Sequence, residues 1–199
     1  MAERAGIGFS VHTGWAASVL VGGPSRAPRV LDRRRIRLAD SDDTLEAEVY
    51  HRAAELSPAK ASALVKSAQK AALAHALAAL RTLARSHPVA AAGVLMSAVT
   101  VPEDLVAILR SHPLIHTAEG ALYREALADA SRNCGLEIVR IPRRELASRF
   151  ASALGKDQED ARRWLAAAGK DFGPPWGRDQ KDAAMAALVA LVKSPSKTR

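Results

Sequence analysis

His12, His116, Glu119, Asp179 and Asp182 are the side chains of this 199-residue chain best suited to holding a metal ion. His12 falls in a short connection between two apolar runs, His116 and Glu119 at a predicted helix start, and Asp179 and Asp182 at the opening of the last helical stretch. These are places where strands end or helices begin, so the spacing allows the five to converge at one end of a sheet. Imidazole nitrogens favour Zn²⁺ or another transition metal, whereas carboxylates alone suit Mg²⁺ or Mn²⁺. Asp179, Asp182 and Glu119 are then candidate catalytic acids of a metal-dependent enzyme. A plainer reading competes: acids in first helical turns are stabilised by the helix dipole, and histidines before helices are often loop residues.

A second set could meet phosphate. Arg33, Arg34 and Arg35, with Arg37, form a basic run, and Arg178 follows Trp176 in Pro174-Pro175-Trp176-Gly177. Guanidinium forks pair bidentately with phosphate oxygens, and Trp176 could stack on a base. The competing readings are an edge strand guarded by positive charge and a tryptophan packed as a plug against prolines. Ser10, Ser97 and Ser111 lie outside any Gly-x-Ser-x-Gly setting, and Cys134 has no evident base partner, so covalent nucleophilic catalysis is not indicated. No zinc-finger, helix-turn-helix or RNA-binding motif is legible.

The apolar share of 48%, with 25% charged and 4% aromatic residues, excludes wholesale disorder, collagen-like repeats and a disulfide scaffold. Lys and Arg number 29 against 21 Asp and Glu, a net charge of +8 that leans towards a polyanionic partner. The excess lies mainly in residues 51–100 and 151–199 rather than in a recognisable reading motif. One cysteine cannot form an internal disulfide, Met1 to Gly6 lacks the pattern of a secretory signal, and no apolar run is long enough for a membrane span. A cytoplasmic protein with no membrane partner is expected. The length fits one domain over 1–192, with a helical insertion near 157–168 and a polar tail over 193–199.

Three strands are predicted first, over Gly6 to Val11, Trp15 to Val21 and Arg29 to Leu38, with His12-Thr13-Gly14 as a hairpin connection and Gly22-Gly23-Pro24-Ser25 as a break. Ser41-Asp42-Asp43 caps a helix carrying Leu45, Val49, Ala53 and Leu56. A second, Ala-rich helix runs over 59–85. The small residues of this helix could cover the sheet or meet a second copy in a homo-oligomer. Val89 to Val99 holds a buried strand, Pro102-Glu103-Asp104 opens a short helix to Leu109, and Thr117 caps a longer one through Arg132. Leu136 to Ile141 is the fifth strand. Helices follow over Pro142 to Leu154, Gln158 to Ala168 and Asp179 to Val192. The order is βββαβαβα, a mixed five-stranded sheet flanked by helices, of class α/β.

That order resembles the ribonuclease H-like superfamily, and locally the RuvC-type Holliday-junction resolvases. Gly8-Phe9-Ser10-Val11-His12-Thr13-Gly14 has the cadence of the family's first strand and turn, and Asp179-Gln180-Lys181-Asp182-Ala183 is similar to its Asp-x-x-Asp-Ala start of the last helix. The resemblance implies two-metal phosphodiester hydrolysis by convergent carboxylates. Where the family has Asp on the first strand and Glu on the middle strand, this chain has Ser10 and Ser97. The degenerate acid pattern points to a binding or interaction module, with nucleic acid as the partner class. The alternative is a metal-dependent nuclease or phosphoesterase with a rearranged site, taking Mg²⁺, Mn²⁺ or Zn²⁺.

Overall fold

The structure is a computed structural model that describes residues 4–24, 27–41 and 43–194. Ser25 of the expected break, Asp42 of the expected cap and residues 195–199 of the expected tail lie outside the described residues. Three strands come first, β1 (Ala5–His12), β2 (Trp15–Gly22) and β3 (Arg29–Arg37). The turn between β1 and β2 uses Gly14 at φ +79, a backbone angle that costs glycine nothing. Helices α1 (Thr44–Ala47), α2 (Val49–Ala54) and α3 (Pro58–Ser86) lead to β4 (Val89–Met96). Then come α4 (Leu105–Leu109), α5 (His112–Asn133), β5 (Glu137–Pro142), α6 (Leu146–Leu154), α7 (Gln158–Ala167) and α8 (Arg178–Lys193). The strands lie in the order β3-β2-β1-β4-β5. The β1–β2 and β2–β3 pairs are antiparallel, and the β1–β4 and β4–β5 pairs are parallel, with helices α1 to α3 leading from β3 to β4 and helices again between β4 and β5. The expected mixed α/β sheet is present.

Alternation along each strand sorts the core into two layers. Ile7, Phe9, Leu20, Ile36, Ala92 and Val94 pack with α2, α3 and α5 on one face. Val19, Val21, Ala91, Leu95, Val139 and Ile141 pack with α6, α7 and α8 on the other. The Ala-rich helix α3 buries Ala61, Ala72 and Ala76 inside this chain, so these small residues line its own core rather than a free contact face for a second copy.

Helix α8 lies unusually close to the sheet. A β-carbon on Gly8 would stand 2.0 Å from the carbonyl oxygen of Ala183, and one on Gly93 would stand 2.3 Å from that of Ala186. Gly6 meets Ala187 in the same way. Moving back two residues along β1 therefore matches moving on four along α8, about 6.6 Å of strand against about 6 Å of helix. The helix runs antiparallel to β1 and starts at its C-terminal end. Extending that register by one more step brings Asp179 to Ser10.

Some boundaries differ from the sequence expectation for local reasons. The helix predicted through Leu45 to Leu56 is broken at Glu48 (φ −79, ψ 69), and Leu45 is 70% exposed. A new helix starts there because the Glu119 carboxylate accepts from the backbone N–H groups of Val49, Tyr50 and His51 at 3.1, 2.6 and 3.2 Å. Helix α5 begins at His112 rather than Thr117, with Pro113 in its first turn, where no helical N–H is needed. Thr117 instead donates its hydroxyl to the Pro113 carbonyl. Strand β4 stops at Met96, whose partner Pro142 has no N–H to continue the ladder, and Arg143–Glu145 forms a 3₁₀ turn before α6. Helix α7, in the expected insertion, is capped by Asp157, which accepts from the Asp160 N–H at 2.8 Å.

Candidate nucleic-acid interface at the start of α8

The start of α8 and the ends of β1 and β2 build the first half of the site. Ser10 and His12 are two apart on β1 and share the face that α8 covers. The Ser10 hydroxyl donates to Asp179 Oδ1 at 3.0 Å, and His12 Nε2 donates to the same oxygen at 2.8 Å. Desolvation pushes the Asp179 carboxyl up, but the His12 and Ser10 hydrogen bonds, with the charges of His12 and Arg143, outweigh it and hold the group below its ordinary range. The two-residue turn places Trp15 directly opposite His12, and their rings stack with centroids 4.2 Å apart and planes 7° from parallel. The Arg35 guanidinium lies 4.1 Å over the Trp15 ring. Asp179, His12, Trp15 and Arg35 thus form a continuous row across β1, β2 and β3.

The second half lies towards β5. Asp182, 13% exposed in its side chain, is bound by Arg143 Nη1 at 2.7 Å, with Arg178 Nε 3.9 Å away. Beside it a cleft of about 750 Å³ runs across the C-terminal ends of β1, β4 and β5, lined by Val11, Met96, Ser97, Arg124, Arg143 and Arg144. Open α/β sheets place their ligand crevices at such strand ends.

The donor set does not fit the pair of hard cations that the resemblance implies. Ser10 is buried (1% exposed) and spends its proton on Asp179, and Asp182 is already neutralised by Arg143. Two-metal hydrolysis needs uncompensated carboxylates around the ions. The Ser10 hydroxyl is 1% exposed, and the carboxylate that accepts its proton is held below its ordinary range and is a weak base.

The sequence-predicted cluster separates into two. His12 and Asp179 meet, and Asp182 stands one helical turn further along α8. Glu119 and His116 belong to α5 on the opposite layer, where Glu119 serves α2 and His116 packs against His51 and His112. Ser97 lines the cleft just beyond β4. Of the expected phosphate contacts, Arg33 is consumed internally, donating to the carbonyls of Phe172, Gly173, Pro174 and Pro175, because the 172–175 loop folds over β3. Arg34 pairs with Asp32 at 2.6 Å. Arg178 is exposed beside Asp182, and Arg37 is exposed at the end of β3. Trp176 is packed against Gly169 and donates its indole N–H to the Leu165 carbonyl at 2.8 Å, a plug rather than a platform. Sequence reasoning missed Trp15, Arg143, His51 and His112 as site residues. A two-residue hairpin loop pairs its flanking residues, so Trp15 was legible beside His12. Nothing local marks Arg143.

The sheet order and its helical cover define a ribonuclease H-like fold of the RuvC kind. RuvC from T. thermophilus in complex with a Holliday junction substrate matches with a TM-score of 0.55 at 12% identity, over 95% of this chain and 92% of that one. A second Thermus thermophilus RuvC structure matches with a TM-score of 0.50 at 12% identity, over 94% and 91% of the two chains. No protein-family model and no curated protein sequence matches the chain. No helix among the described residues is long and apolar enough to cross a membrane.

Proposed function

We propose that this chain is a nucleic-acid-binding module on a RuvC-like fold, in which the acids at the sheet end serve structure rather than phosphodiester cleavage. The observation that carries the reading is charge compensation. Asp179 is satisfied by Ser10 and His12, and Asp182 by Arg143, so among the described residues these two acids are not left unpaired to hold metal ions against a phosphate chain. The surrounding groups suit a polyanion. Arg35 over Trp15 offers a cationic, aromatic surface, and Arg143, Arg144 and Arg124 line the adjoining cleft. The net charge of +8 agrees in sign. The similar T. thermophilus RuvC is in complex with a Holliday junction substrate, which makes branched DNA the first probe.

Fluorescence anisotropy with four-way junction, duplex and single-stranded DNA tests this. Micromolar binding that weakens steeply with salt, without strand cleavage in Mg²⁺ or Mn²⁺, is the expected result. Absence of salt-dependent binding at micromolar protein overturns it. Cleavage that Asp179→Asn abolishes replaces it with the metal-dependent nuclease reading.

A further inference from the structure

On the opposite layer from α8, three histidines meet where α2 crosses the start of α5. His112 and His116 are one turn apart on α5, so their side chains share a face, and His51 approaches from α2. The ring centroids stand 4.4 Å apart for His112 and His116, 4.7 Å for His51 and His116, and 5.5 Å for His51 and His112. One ring nitrogen from each lies within 4.8 Å of the other two, the only such grouping of three ligating side chains among the described residues. The rings meet edge to face at 62° to 88°.

We propose that His51, His112 and His116 form a Zn²⁺ site with three protein ligands and a fourth position open to solvent. Tetrahedral zinc at about 2.0 to 2.1 Å from each nitrogen needs those nitrogens about 3.3 Å apart. His112 and His116 are exposed and His51 half-buried, so small rotations of the rings close the remaining gap. A second observation points the same way. The Glu119 carboxylate, 3% exposed and fixed by three backbone N–H bonds, lies 3.3 Å from His51 Nδ1. A carboxylate there accepts the Nδ1 proton and leaves Nε2 as the free ligand atom, the arrangement that orients metal-bound histidines. The rings of His112 and His116 have no described partners other than each other and His51. The metal class is set by the donors, because three neutral imidazoles suit Zn²⁺ and disfavour Mg²⁺ and Ca²⁺. Bound zinc would tie α2 to α5 across 61 residues of chain.

The test is calorimetric titration of the metal-free full chain with ZnCl₂ near neutral pH, alongside His112→Ala, His116→Ala and the control His75→Ala. One zinc per chain is expected, with each of the two site variants weakening binding by about tenfold or more and the control unchanged. Cobalt in place of zinc should give the intense visible bands of tetrahedral Co²⁺, lost in His116→Ala. Both site variants alter exposed side chains, and matched circular dichroism spectra verify their folding. Failure to bind zinc, or binding of equal affinity in the His112→Ala/His116→Ala double variant, overturns the proposal. DNA binding at the α8 site is a separate measurement, so either outcome there leaves this one intact.

Discussion

Ser10 and Asp179 are joined across the interface of β1 and α8 by a hydrogen bond of 3.0 Å, with the buried hydroxyl donating to Oδ1. A neutral donor thus stands against the carboxylate at the place where a second acid would repel it. Ser10→Asp should destabilise the fold by about 3–5 kcal/mol at neutral pH, the cost of a buried charge without a partner. Urea unfolding measures this, and the loss should shrink as pH falls into the carboxylate range. A Ser10→Asp protein as stable as wild type without divalent cations would show that the site tolerates a second acid.

The same contact predicts a pH dependence. Asp179 titrates lower in the folded chain than its unfolded value of about 3.9, because His12 and Ser10 favour the ionised form more than burial opposes it. Its contribution is therefore complete above the unfolded value and is lost as pH falls through the folded one. The stability difference between wild type and Asp179→Asn should be larger at about pH 7 than at about pH 3. An equal difference at both would mean that the two hydrogen bonds do not select the carboxylate.

Gly8 has no room for a side chain, since its β-carbon would also fall 2.4 Å from the backbone nitrogen of Ala187. Backbone atoms cannot step aside as a flexible side chain can. Gly8→Ala should cost about 3 kcal/mol or more and move α8 off the sheet, taking Asp179 from Ser10. Hydrogen exchange along α8 checks this: the variant should lose protection there first, while α3 keeps its own. Undiminished protection across α8 would place the close approach elsewhere.

The fold was legible because its determinants are local or periodic. Apolar runs marked β1, β2, β4 and β5, a mixture of apolar and basic residues marked β3, and Gly, Pro and Asp punctuated most helix ends. The site was legible only in part. Asp179 and His12 were identified from their element ends, and helix register then brings them together. Glu119 and His116 were assigned to the same cluster because a sheet-end position was inferred from a helix start at Thr117. The helix in fact begins at His112, and α5 covers the face of the sheet opposite α8, so both residues lie in the other layer. The capping of α2 by Glu119, 70 residues away in sequence from Val49, has no local signature at all. Arg33 shows the same limit, since a basic strand residue reads as solvent-facing until the loop that covers it is placed.

Arg33 and Arg35 lie two apart on the same face of β3 and should behave oppositely. Arg33 holds the Phe172–Pro175 loop through backbone carbonyls, so Arg33→Ala should lower stability by about 1.5–3 kcal/mol and leave DNA affinity unchanged. Arg35 rests on Trp15 with its charge facing outward, a contact worth about 0.5–1 kcal/mol at an exposed site. Arg35→Ala should therefore change stability little but weaken DNA binding and reduce the salt slope by about one. Urea unfolding and anisotropy titrations across a salt series, run on both variants, separate the two roles. The reverse pattern, with Arg33→Ala reducing the salt slope and Arg35→Ala leaving it intact, would move the phosphate contact from the Trp15 row to the loop over β3.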